Sequence, residues 1–327
     1  MNDNGDFRLD VSAQVLRDRA CGAMLGLSIG DALGATVEFM TPREIQAQYG
    51  VHDRIRGGGW LRLKPGGVTD DTTMTLALAD AWLEHAGGAR GDGQDIEIPD
   101  AETCARAFDT WMRGKPVDIG HTVRRGIVRW RLSGSAITVP SDDAGNGATM
   151  RCLPVALALF GGAPDSIVSA TLAQARVTHN NPLTDAATLC VIDMVQIALR
   201  GGGQAALMER ARQLAIEHPL FEFHGRRVDN PSAYIVDTMR VVFQGMAAFP
   251  AFEGAIIDIV NRGGDADTTA AIAGMMLGAL AGQAALPRRW LDALDAAPRA
   301  ACIAAATRLI ERSPGWAQIE RQRLIKA

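Results

Sequence analysis

A chain of 327 residues that is 47% hydrophobic can bury a sizeable core, and its 21% charged residues sum to a net charge of −4. Such mild acidity gives no general electrostatic reason to bind nucleic acid or an anionic membrane, so a phosphate-bearing ligand would need a local site. Five scattered cysteines without a CxxC, and a polar N-terminus (MNDNGDFRLD) without a basic-then-apolar layout, point to a reduced, cytoplasmic protein rather than a secreted one.

In chain order, residues 1–11 read as a short flexible terminus, and apolar spacing then predicts a helix over 12–33. Small residues in it (Gly22, Ala23, Gly26, Ser28, Gly30) allow close packing. Asp31 reads as a structural polar group at that helix's end, and Glu38, taken alone, as a solvated surface carboxylate. The loop 56–60 (RGGGW) and the loop 66–71 (GGVTDD) precede a helix that begins near Thr72 and carries Met74, Leu78 and Trp82 at spacing four. A surface loop is expected over 87–99. Further helical patterns run over 101–113, 119–132, 149–160, 165–177, 184–200, 204–217, 232–247, 253–261, 268–282, 288–311 and 315–326. Alternation with period two is scarce, and no repeat of 20–50 residues recurs. The longest uncharged run, Thr268–Pro287, is rich in Gly, Thr and Ala and reads as a buried helix, not a membrane span. The expected architecture is one all-α domain over 1–327.

Two loops stand apart. In GGVTDDTT, Thr69, Asp70 and Asp71 directly precede a helix; in GGDADTT, Asp265, Asp267 and Thr268 do the same. One such loop is explained by helix capping. Two matching loops offer four carboxylates, more than two caps require. Carboxylate and hydroxyl oxygens without nearby Cys or His form a hard-ligand set, suited to Mg²⁺ or Mn²⁺. Two such ions, roughly 3.5–4 Å apart, would neutralise the four charges if the loops met in space.

Other candidates are less specific alone. Asp118, in PVDIGHTVRRG, reads either as a helix N-cap or as a catalytic carboxylate, and His121 as a structural histidine. Gly145, Asn146 and Gly147 form a GNG turn whose N–H groups could face phosphate oxygens. His179, in VTHNNPLTD, is equally a structural or a ligand-contacting residue, and Tyr234 could pack in the core or cover a substrate ring. HExxH, GxSxG, GxxxxGK[ST] and a strand-to-helix GxGxxG are all missing, which argues against zinc proteases, α/β-hydrolases, NTPases and nicotinamide dehydrogenases.

Together these motifs resemble the ADP-ribosylglycohydrolases, and among them the dinitrogenase reductase-activating glycohydrolases. The resemblance runs through GAMLGLSIGDALGATVEF, GGVTDDT, PVDIG, DAGNGATMRCLP, ARVTHNNPLTDAA, SAYIVDTM and NRGGDADTTAAIAGMMLGAL in order. It implies an orthogonal all-α bundle that removes ADP-ribose from an arginine, with ADP-ribosylated nitrogenase iron protein as the substrate. It further implies two Mn²⁺ (or Mg²⁺) ions on Thr69, Asp70, Asp71, Asp265, Asp267 and Thr268. Asp118 would be the general base, and Glu38 a second carboxylate reaching the site. Gly120, His121, Gly145, Asn146, Gly147, His179 and Tyr234 would border the substrate. A PII-type signalling protein and reversible membrane association through a partner are implied in the same way. Two alternatives keep the scaffold: an ADP-ribosylarginine hydrolase with another target, such as a toxin-modified protein, or a non-catalytic ADP-ribose-binding regulator.

Overall fold

The computed structural model describes residues 11–85 and 97–326, so most of 1–11 and of the loop expected over 87–99 lies outside the described residues. The described chain is all-α, as its apolar spacing predicts. No strand occurs there; Gly58–Leu63 and Gly145–Tyr234 are isolated bridges. The first helices are α1 (Ala13–Gly34), α2 (Pro42–Tyr49), α3 (Asp70–His85), α4 (Ala101–Arg113) and α5 (His121–Ser133). Next come α6 (Leu153–Ala158), α7 (Pro164–Ala175), α8 (Pro182–Leu199), α9 (Gln204–Glu217) and α10 (Ile235–Ala248). The chain closes with α11 (Phe252–Val260), α12 (Ala266–Ala281), α13 (Arg288–Leu291), α14 (Ala296–Glu311) and α15 (Pro314–Lys326).

The centre is a pair of helices. Every residue of α1 from Ala20 to Gly34 is buried, as is every residue of α12 from Ala266 to Ala279. A helix buried on all sides must be apolar all round, which both are apart from Ser28 in α1 and the polar residues at the ends that meet. The glycines of α1 recur every fourth residue and line one face. A Cβ on Gly22, Gly26 or Gly30 would fall 2.3, 2.2 or 2.2 Å from the carbonyl oxygens of Gly278, Gly274 and Ala270, respectively. At Gly34 a Cβ would fall 2.4 Å from the Asp267 Cα. The helices therefore run antiparallel in backbone contact, and the end of α1 is pinned to the start of α12. α14 and α3 cover the rest of α1, while α8, α10 and α11 cover α12. We expect Gly26→Ala to destabilise the fold by at least the ~1–3 kcal/mol typical of overpacking, measured by urea denaturation. A neutral effect would contradict the close approach.

Three elements differ from the sequence reading. α2 is additional, and its signal is Thr41–Pro42–Arg43–Glu44, a capping box with Pro in the first turn. With Ile45 as its buried residue, it is too short for periodicity to reveal. The helix expected over 149–160 shrinks to α6, because Pro154 has to lie in a first turn; Thr149 and Met150 instead bond back to the Asn146 carbonyl. Pro298 splits 288–311 similarly: α14 starts at Ala296, capped by the Asp295 carboxylate, so the proline again sits in a first turn. The run Thr268–Pro287 is a buried helix as far as Ala279; α12 ends at Ala281, and Ala284 and Ala285 beyond it are exposed. α8 is the one described helix long and apolar enough to cross a membrane (mean hydropathy 1.4), and 67% of it is packed inside the protein.

Candidate metal centre and active site

Contact between α1 and α12 brings the two acidic loops together. Asp31, near the end of α1, accepts the Thr69 N–H at 3.0 Å, the Thr72 N–H at 3.1 Å and the Thr72 hydroxyl at 2.5 Å. The capping of α3 thus comes from a residue 38 positions earlier, which frees Asp70 and Asp71 from that task. At α12, Asp265 holds the N-cap position but makes no side-chain capping bond. Its Oδ2 instead accepts the Asn146 side-chain amide at 2.6 Å. The Thr69 hydroxyl keeps a capping bond, from the Asp71 N–H at 3.4 Å, but capping does not account for the carboxylates of these loops. The Thr268 hydroxyl donates to Asp71 Oδ2 at 3.2 Å across 197 positions, and the Thr69 hydroxyl donates to the same oxygen at 3.2 Å. Residues near 70 and near 266 share one site.

Their carboxylates fall into two trios that share Asp267. In Asp31–Asp71–Asp267 and in Glu38–Asp265–Asp267, one oxygen from each residue lies within 4.8 Å of the others. All of these side chains are buried. Asp71 Oδ1 and Asp267 Oδ1 are buried and lack any hydrogen-bond partner. Orphaned anionic oxygens at the centre of a carboxylate cluster are costly unless a cation completes them. The donor set is all oxygen, so it fits a hard divalent ion.

The same crowding raises the proton affinity of the group. Burial pushes Asp31 up to about 6, opposed by its bonds from Thr72 and Thr69. Burial and the charges of Asp118 and Asp31 push Asp70 up to about 7. Burial pushes Glu38 up to about 8; the Trp60 indole N–H, 2.6 Å from its Oε2, pulls it down, and the Asp265, Asp118 and Asp70 charges add to the rise. Asp71 and Asp267 rise well above the usual carboxylate range, first through burial and then through neighbouring carboxylates. In the unfolded chain such groups titrate near about 4. Protons held by the fold then stabilise it fully below about 4, and that contribution is lost as pH rises through 6 to 8. We expect the metal-free protein to melt at a lower temperature at pH 8 than at pH 5.5, and saturating Mn²⁺ to reverse that order by replacing the protons. Calorimetry at both pH values, with and without Mn²⁺, checks this; a metal-free melting temperature indifferent to pH would contradict it.

Above the trios opens a cavity of about 890 Å³. Glu38, Asp70, Asp118, Gly120, His121, Gly145, Asn146, Gly147, His179, Tyr234, Asp265, Asp267 and Thr268 all line it, so the sequence candidates converge. Thr69 and Asp71 lie beneath, buried. Asp118 is half-buried and is not a cap: Gly120 holds the N-cap position of α5, without a side-chain bond. The Gly120 N–H points at Asp70 Oδ2, 3.3 Å away. Asp70 belongs to neither trio. Asn146 is a brace: its side-chain amide spans Asp265 and the Thr238 hydroxyl, and its backbone N–H is taken by the Ala233 carbonyl. Gly145 and Gly147 make room for His179, since a Cβ on either would come within 3.0 Å of the imidazole. Burial, together with the Arg151 guanidinium, pushes His179 down to about 3, so the ring is neutral at physiological pH. Arg151 donates to the Thr178 hydroxyl, which in turn bonds His179 Nδ1 at 2.8 Å; this chain favours a proton on Nε2, beside Gly145. His121 is exposed, and Tyr234 is 39% exposed on the wall.

The sequence reading gave Asp31 a structural role alone and, outside the family resemblance, took Glu38 for a solvated surface carboxylate, whereas both are buried. The structure adds Asp31 to the first trio and Glu38 to the second. Asp31 is the one charged residue between Cys21 and Val37, a signal that periodicity arguments pass over. Trp60, whose indole holds Glu38, was visible as part of an odd glycine-rich loop and nothing more.

Comparison with known proteins places the chain among relatives of one family. Residues 12–318 match the family model of the ADP-ribosylglycohydrolases. The chain is 48% identical over 281 residues to the ADP-ribosyl-[dinitrogen reductase] glycohydrolase of Rhodospirillum rubrum, covering 86% of this chain and 91% of that protein. It is 32% identical over 296 residues to the ADP-ribosylarginine hydrolase Tri1 of Pseudomonas putida, covering 84% and 74%. A solved structure described as an ADP-ribosylglycohydrolase-related protein complex superposes with a TM-score of 0.77 at 31% identity, covering 91% of this chain and 99% of that one. By sequence and by fold, the chain belongs to the ADP-ribosylglycohydrolase family.

Proposed function

We propose that this chain is a hydrolase, dependent on two divalent cations, that removes ADP-ribose from an arginine of a modified protein. The protein target we assign is ADP-ribosylated dinitrogenase reductase, the substrate named for the 48%-identical relative. The observation that carries the chemistry is the pair of buried carboxylate trios sharing Asp267, with partnerless oxygens on Asp71 and Asp267. Mn²⁺ or Mg²⁺ suits this all-oxygen set. The holding residues would be Asp31, Asp71, Asp267, Glu38 and Asp265, with the hydroxyls of Thr69 and Thr268 at the same oxygen of Asp71. When bound, the cations supply positive charge that fixes the ribose hydroxyls while charge develops at C1″.

The remaining work belongs to the chain's own groups. Asp118 stands on the cavity wall, outside both trios, and accepts a proton from water or from a ribose hydroxyl. Asn146 fixes the Asp265 carboxylate, and the Gly120 N–H faces Asp70. Neutral His179, packed against Gly145 and Gly147, offers an N–H rather than a charge. Tyr234, bridged through its backbone to Gly145, lines the same cavity. A second target reading rests on the 32%-identical ADP-ribosylarginine hydrolase; the bond broken is the same and the modified protein differs.

Incubation with ADP-ribosylated dinitrogenase reductase tests the reading. Free ADP-ribose should be released with Mn²⁺ and not with a chelator. Release from other ADP-ribosylarginine proteins alone would move the target to the second reading. No release from any of them would overturn the function.

A further inference from the structure

At the mouth of the site stand two large aromatic side chains that the mechanism leaves unused. Phe39 is 65% exposed and Trp60 is 52% exposed, with ring centroids 5.4 Å apart and planes tilted by 48°. Neither is held loosely. Phe39 has φ +63°, a left-handed conformation that bulky residues rarely adopt and that persists where its surroundings fix it. Its N–H bonds the Gly264 carbonyl at 2.8 Å, and the Gly264 N–H bonds the Met40 carbonyl at 2.9 Å, so its backbone is laced to the acidic loop before α12. Trp60 is anchored through Glu38, and its loop is pressed on the end of α1, where a Cβ on Gly59 would fall 2.3 Å from the Ala35 carbonyl oxygen.

Behind these rings lies a second cavity, of about 460 Å³. It shares Glu38, Phe39 and Trp60 with the main one, so the two hollows meet at the aromatic pair. Its lining carries the Glu44 carboxylate, besides that of Glu38 already assigned to the cations, and no Lys or Arg. Tyr49 on the same wall already has a guanidinium, that of Arg56, 5.7 Å from its ring. Rigid exposed rings beside carboxylates are a receptor for a planar cation with an apolar stem.

Building on the hydrolase reading above, we propose that Phe39 and Trp60 form the acceptor-side subsite. The guanidinium and aliphatic arm of the modified arginine pass between the ribose site and the second cavity against these rings, and the adjoining peptide of the substrate protein enters that cavity. The pair thus recognises what ADP-ribose is attached to, while the main cavity recognises ADP-ribose itself.

The test separates the two halves of the substrate. In the Mn²⁺-loaded protein, Phe39→Leu should raise KM for an ADP-ribosyl-arginine peptide about tenfold. Inhibition by free ADP-ribose and the affinity for Mn²⁺ should stay within about twofold of wild type, and Phe39→Tyr should restore the peptide KM. An unchanged peptide KM in Phe39→Leu, or an equal loss of affinity for free ADP-ribose, would overturn the subsite and leave the hydrolase reading intact. A wild-type protein that cleaves neither this peptide nor any ADP-ribosylated protein would overturn that reading and the subsite with it; cleavage of the proteins without the peptide would overturn the subsite alone.

Discussion

Asp267→Asn should abolish divalent-cation binding at both trios and reduce ADP-ribose release by well over 100-fold. Asp267 is the carboxylate that the two clusters share, and its Oδ1 is left without a protein partner. Changing an outer partner of a metal ligand typically costs about 10–100-fold; losing a bridging ligand should cost more. The same substitution should leave the metal-free protein as stable as wild type or more stable. It removes one of several crowded, buried carboxylates whose proton affinities rise on one another's account. This opposite response distinguishes a functional ligand from a structural one. Mn²⁺ titration, a turnover assay and metal-free thermal melts measure the three quantities. A variant that binds Mn²⁺ normally, or whose metal-free form unfolds, would contradict the assignment.

Asp118→Asn should give the complementary result. Asp118 is half-buried on the wall of the cavity and lies in neither trio. Metal binding and thermal stability should persist, while kcat falls by about 10²–10⁴, the range for removing a general base. Because Asp118 contributes to the raised proton affinity of Asp70 and Glu38, its neutralisation should also ease the charging of both. Mn²⁺ affinity near neutral pH, measured against wild type, is therefore a second readout: a severe loss would place Asp118 among the ligands instead.

Much of this arrangement was legible in the residues, for identifiable reasons. The all-α class follows from helical apolar spacing, and small residues at Gly22, Gly26 and Gly30 announce close packing of α1 without naming its partner. The Gly-Gly-acidic loops were visible because their charge exceeds what two helix caps need. That they meet was not readable, since their contact depends on a backbone register between helices more than 200 residues apart. Asp31 shows the limit of local reading. Its capping bonds reach forward to Thr69 and Thr72, and its place in the first trio exists once α3 is seated on α1. Asn146 shows the same limit: a GNG turn announces a tight loop, while its bonds to Asp265 and Thr238 depend on α10 and α12 being in place. Pro154 and Pro298, by contrast, carried their helix boundaries in the sequence, and the first-turn rule for proline recovers both.

The central claim is that Asp71 and Asp267, from distant segments, enclose a shared site for two cations. Mn²⁺ titration followed by electron paramagnetic resonance tests it most directly. The account predicts two Mn²⁺ per chain with an exchange-coupled spectrum, and loss of that coupling in Asp267→Asn. A single uncoupled Mn²⁺, or none at saturating concentration, would contradict it.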